Sequence, residues 1–79
     1  MNYQPYNYRV YGKTYFCGYD YIPTKYPLYD LESAKEVVNN LDTNVYSEYL
    51  IIRHHIQLNM DEPIDRGCLD RPKTLNKRR

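Results

Sequence analysis

A chain of 79 residues has room for one domain, which buries roughly 60% of the surface its unfolded form exposes, so a small core and a single domain are expected. The formal net charge of +1 hides a division. Residues 1–65 carry five basic and nine acidic side chains, minus four, whereas residues 66–79 carry six basic and one acidic, plus five. An acidic body thus ends in a basic tail.

The opening Met-Asn-Tyr-Gln-Pro lacks the apolar core of a signal peptide, and the longest apolar run, Tyr49 to Ile52, is too short to cross a bilayer. A cytoplasmic protein is expected. Cys17 and Cys68 fit neither a disulfide framework nor a zinc spacing, so both are expected as reduced thiols. The outlier is tyrosine, with eleven copies against one Phe and no Trp. A small core cannot supply partners for so many phenol hydroxyls, so several rings are expected at the boundary or outside.

In chain order, Tyr6 to Tyr11 and Thr14 to Ile22 are rich in strand formers and are separated by Gly12-Lys13. That spacing predicts a hairpin closed by a two-residue turn with glycine first. Its register would place Tyr6, Tyr8, Val10, Tyr15, Cys17 and Tyr19 on a core face, and Arg9, Tyr11, Thr14 and Phe16 on the other. Pro23 to Pro27 reads as a loop. From Asp30 to Leu41 the chain shows its clearest period, with Leu31, Ala34, Val38 and Leu41 on one stripe and Asp30 at the N-cap position. Asp42-Thr43-Asn44 supplies turn chemistry, with Asn40 or Asn44 suited to a left-handed conformation.

Val45 to Met60 is ambiguous. Alternation of Leu50, Ile52, Ile56 and Leu58 predicts a strand over Glu48 to Leu58, with a second helix as the rival. Beyond Met60 there is no period, and the charges alternate around two prolines, which reads as a tail. The predicted fold is therefore a small α+β single domain: a ββαβ unit over residues 1–60, then an irregular basic tail over 61–79. Its three-stranded antiparallel sheet runs in order 2-1-3, with one helix on one face.

The face left bare in that arrangement would carry Arg9, Tyr11 and Phe16 from the hairpin and Tyr49, Ile51, Arg53 and His55 from the last strand. Aromatic, aliphatic and arginine groups together describe the centre of a protein interface. The alternative is that strand-forming residues are simply covered by the tail, which contributes Ile64 and Leu69.

Catalytic and metal chemistry find little support. His54 and His55 are adjacent on a strand and point to opposite faces, so they cannot share a ligand or a proton. Asp61, Glu62, Asp65 and Asp70 match no calcium-loop spacing and read as surface ion-pairing groups. Cys68 lies near Arg66 and Arg71, which favours a thiolate, but lacks further support as a nucleophile. No phosphate-binding glycine loop is present. No catalytic residue, cofactor or metal is therefore expected. Nucleic acid is the rival partner: Arg71, Lys73, Lys77, Arg78 and Arg79 can neutralise phosphates while Tyr11, Phe16 or Tyr49 stack on bases. Self-association through an open face or edge is a third possibility.

The segment Tyr29-Asp30-Leu31-Glu32-Ser33-Ala34-Lys35-Glu36, followed by Glu48-Tyr49-Leu50-Ile51-Ile52, resembles small bacteriophage accessory proteins, in which an aromatic residue precedes a short acidic helix and an edge-exposed strand follows. The resemblance implies a compact protein of the host cytoplasm that occupies a surface on a larger host machine, as anti-CRISPR and other anti-defence or host-takeover proteins do. The expected function is thus a non-enzymatic interaction module that inhibits a host enzyme or defence complex. No site residue carries over from the resemblance.

Overall fold

The computed structural model describes residues 5–69. Its elements are β1 (Tyr6–Thr14), β2 (Tyr19–Tyr21), α1 (Leu31–Asn39), β3 (Tyr46–His55) and β4 (Met60–Cys68). The four strands form one antiparallel sheet in the order β2-β1-β3-β4. The expected α+β class and 2-1-3 order are present, with a fourth strand added beside β3. No helix among the described residues is long and apolar enough to cross a membrane.

Helix α1 forms where the period places it. The side chain of Asp30 accepts from the Ser33 backbone N–H at 2.8 Å, which satisfies one of the free donors at the helix start. Ala34 and Val38 are buried, with Leu31, Val37 and Leu41 packed around them. They meet Tyr8 and Val10 of β1 and Ile51 of β3, and these five buried residues are the core. The stop after Asn39 is made by Asn40, whose φ of −100° is not left-handed. Asp42 then turns the chain, its carboxylate accepting from the Asn44 N–H and its carbonyl from the Tyr46 N–H. Neither Asn40 nor Asn44 takes the expected left-handed conformation; among the described residues Asn59 does, with φ 53°.

The first hairpin differs from the expected one. Strand β1 runs straight through Gly12-Lys13 to Thr14, and the reversal falls at residues 15–18, so that Tyr11 pairs with Tyr21 and Lys13 with Tyr19. Gly12 is there for space rather than for a turn: a Cβ at that position would lie 2.7 Å from Cδ1 of the Tyr46 ring. Gly67 has the same relation to Tyr49, whose ring would stand 3.0 Å from a Cβ. Gly12, Tyr49 and Gly67 occupy one rung of the sheet, so two glycines clear the room in which tyrosine rings lie over the strands. Because the turn moved, Tyr15 and Cys17 leave the strand, and Tyr19 joins the face opposite Val10.

The largest correction concerns residues 61–68, expected as part of a tail and found in β4. Strand β3 ends at His55, residues 56–59 turn, and Met60–Cys68 returns along it. The basic run Arg53-His54-His55 faces the acidic pair Asp61-Glu62 across the hairpin, and Asn59 supplies the left-handed turn residue. Beyond Glu62 a bulge near Ile64 shifts the register between Ile51 and Ile52, which turns Ile64 toward the core. The edge so formed carries Pro63, the bulge and several charges, each of which discourages a further strand.

Candidate functional site

The register of β1 with β3 decides which residues share a face. Val10 lies opposite Ile51, Tyr8 opposite Arg53 and Tyr6 opposite His55. Residues 49, 51, 53 and 55 therefore lie on the helix side, and Ile51 is 0% exposed. The expectation that Tyr49, Ile51, Arg53 and His55 stand on the bare face is thus inverted. Two things misled the alternation. Both parities of β3 are apolar at their centre, and the even series was lengthened by Ile56 and Leu58, which are turn residues, Leu58 being 67% exposed.

Displaced to the helix side, those groups form a tied cluster at one end of the sheet. Arg53 Nη2 donates to Glu62 Oε1 at 3.0 Å, and His55 Nε2 lies 3.2 Å from the same oxygen. The Arg53 guanidinium sits 5.1 Å from the centre of the Tyr6 ring, and Tyr6 packs edge-on to both Tyr8 and His55. Hydrogen bonds from His55 and Arg53 hold the Glu62 carboxyl below its ordinary range. Burial pushes the Tyr8 hydroxyl up, partly offset by its hydrogen bond to Arg53. Tyr49 donates to Asp65 Oδ2 at 3.3 Å, and burial followed by the Asp65 charge raises its pKa.

Among the described residues no helix lies over the opposite face of the sheet. Three of its rungs are Asn7–His54–Asp61, Arg9–Ile52–Pro63 and Tyr11–Leu50–Arg66. Tyr21 extends the last of these, its ring 5.5 Å from that of Tyr11 and edge-on to it. Tyr11, Leu50 and Ile52 are partly exposed and stand outside the core cluster, so the centre of this face is apolar and accessible. Arg9 and Tyr11 lie where the sequence places them. Leu50, Ile52, Pro63, Tyr21 and Arg66 were missed, because all five follow from strand registers and a fourth strand that the pattern left open. A cross-hairpin charge match, Arg53-His54-His55 against Asp61-Glu62, was the available signal.

The charges of this face divide into tied and free. Glu48 lies 4.0 Å from Lys13 Nζ and accepts from the Tyr19 hydroxyl, and Asp61 accepts from His54 Nδ1 at 2.7 Å. Arg9, Lys25 and Arg66 have no ion-pair partner among the described residues. A shallow hollow of about 290 Å³ brings Arg9 and Lys25 together with Tyr21 and Tyr26, and another of about 430 Å³ joins Arg66 to Leu50 and Pro63. Phe16 is apart from this surface, at the tip of the β1–β2 connection and 96% exposed.

His54 and His55 each take a separate carboxylate on opposite faces, as their adjacency requires. Among the described residues no group of three metal-ligating side chains converges. Cys17 and Cys68 are both free and exposed. The tail contacts expected from Arg71, Lys73, Lys77, Arg78 and Arg79 lie outside the described residues, as does Asp70. Comparison of the chain with protein-family models, with curated proteins and with solved structures finds no match in any of the three.

Proposed function

We propose that this chain is a protein-binding module, not an enzyme, and that it docks through the open face of its sheet onto a larger protein whose activity it blocks, in the manner of the phage accessory proteins its helix and third strand resemble. One observation carries the reading: among the described residues an apolar centre of Tyr11, Leu50 and Ile52 is partly exposed and is flanked by arginines with no ion-pair partner. Burying such a centre against a partner gains roughly 25 cal/mol for each Å² of apolar surface, and rim arginines add orientation. The His54–Asp61 pair favours no catalytic reading, because the cross-strand neighbour of His54 is Asn7, which is not a nucleophile.

The test is a quantitative affinity capture from a phage-susceptible bacterial lysate, comparing the native chain with a Tyr11→Ser/Leu50→Ser/Ile52→Ser variant whose circular dichroism matches it. The native chain is expected to retain a partner in stoichiometric amount that the variant loses. Equal recovery by both chains removes the open face as the docking surface.

A further inference from the structure

The open face has an electrostatic character that its position alone does not explain. Its two acids are answered within the sheet, Glu48 by Lys13 and Asp61 by His54, whereas Arg9, Lys25 and Arg66 have no ion-pair partner among the described residues. Arg9 and Arg66 stand on strands either side of β3 and one rung apart on this face. Strand spacing and rise put them about 12 Å apart. Between them lie Tyr11, Leu50, Ile52 and Pro63.

Resting on the docking function proposed above, we infer that the partner lays an acidic segment on this face, two carboxylates meeting Arg9 and Arg66 and apolar side chains between them covering Tyr11, Leu50 and Ile52. A guanidinium matches a carboxylate bidentately, so each arginine fixes position as well as charge. An extended segment carries side chains at i and i+4 on one side about 13 Å apart, close to the separation of the two arginines. Single-stranded nucleic acid fits less well. Its phosphates need a continuous cationic track and its bases need open ring faces. Here the cations sit at opposite margins, the residues between them are mostly aliphatic, and the Tyr11 ring is met edge-on by Tyr21.

A random dodecapeptide library displayed on phage, selected against the immobilised full chain and sequenced, tests this. The native chain is expected to enrich peptides with two Asp or Glu flanking apolar residues. An Arg9→Glu/Arg66→Glu variant should lose those peptides and enrich Lys and Arg instead. The milder Arg9→Gln/Arg66→Gln variant should weaken binding of a selected acidic peptide by roughly tenfold per arginine without the reversal. Peptides that are not acidic but still need Tyr11 and Ile52 would overturn the charge assignment while leaving the docking function standing. If no peptide depends on this face, both fall. Labelled oligo-dT and oligo-U run in parallel complete the test: binding that the Arg→Gln variant weakens identifies a nucleic-acid face and overturns the acidic partner.

Discussion

The two faces of β3 contain nearly the same chemistry and have opposite fates. On the helix side stand Tyr49, Ile51, Arg53 and His55; on the other stand Glu48, Leu50, Ile52 and His54. Each series has an apolar centre and a histidine hydrogen-bonded to a carboxylate. What differs is the neighbour. β1 presents Val10 and Tyr8 to the first series, and α1 seals that side with Ala34 and Val38, whereas it presents Tyr11 and Arg9 to Leu50 and Ile52 of the second, over which no helix lies among the described residues. Burial is thus conferred on β3 by its register with β1 and not by its own composition, since a one-residue slip would exchange the faces.

Paired substitutions at adjacent residues give the sharpest way to break this comparison. Ile51→Ala empties a fully buried position in a small core and is expected to cost about 2–5 kcal/mol. Ile52→Ala, one residue away and partly exposed, is expected to cost about 1 kcal/mol. Urea denaturation of the two variants measures the difference. Equal losses would mean that the open face is packed as tightly as the covered one, and the docking surface would then have to be sought elsewhere.

A smaller effect separates the glycine rung from the rest of the covered face. Gly12→Ala sets a methyl group against the Tyr46 ring, at a separation real Cβ contacts do not show, and is expected to destabilise by about 1–3 kcal/mol. In a Tyr46→Ala background the same change should cost less, because the atom it strikes has gone. Thermal melts of the four chains of that cycle give the coupling. If Gly12→Ala costs the same in both backgrounds, the glycine serves its backbone and not the ring.

Much of this architecture was legible in the chain, and the lost parts share a cause. Helix α1, its Asp30 cap and its stripe follow from local period and capping chemistry, which need no knowledge of neighbours. Tyr8 and Val10 were legible as core because Arg9 and Tyr11 gave β1 a true alternation. The turn at Gly12-Lys13 was misplaced because a glycine that makes room for a ring looks, in sequence, like a glycine that turns a chain. Strand β4 was hidden because its residues make sense only in pairs: Asp61 and Glu62 look like solvated acids until His54, Arg53 and His55 are set opposite. Half of the open site, Arg9 and Tyr11, came with β1; the other half, Leu50, Ile52 and Arg66, depended on the register and on β4.

The β3–β4 hairpin brings acid sensitivity to the covered face. The Glu62 carboxyl is held below its ordinary value of 4.5 by hydrogen bonds from His55 and then Arg53. A carboxyl whose folded pKa is depressed adds stability above its unfolded value and loses it as pH falls through the folded one. Stability should therefore decline as pH drops below about 4.5, and Glu62→Gln should make that decline shallower while lowering stability near neutrality. Denaturation midpoints across an acid series measure both. An unchanged acid slope in the variant would show that the three-residue cluster is not what titrates.

The smallest expected stability effect belongs to Phe16, and it separates exposure from function. Its ring is 96% exposed at the β1–β2 tip, so Phe16→Ser removes almost no buried area and should change folding free energy by less than about 0.5 kcal/mol. The tip lies on neither face, being carried past the end of the sheet by the reversal at residues 15–18. If docking is confined to the apolar centre between Arg9 and Arg66, the variant should also bind a selected acidic peptide as the native chain does, by fluorescence anisotropy. A loss of binding with folding intact would extend the contact beyond the sheet to the loop. An isolated aromatic ring that is costly to leave in water would then be explained as a second anchor, one that the distinction between the covered and open faces does not contain.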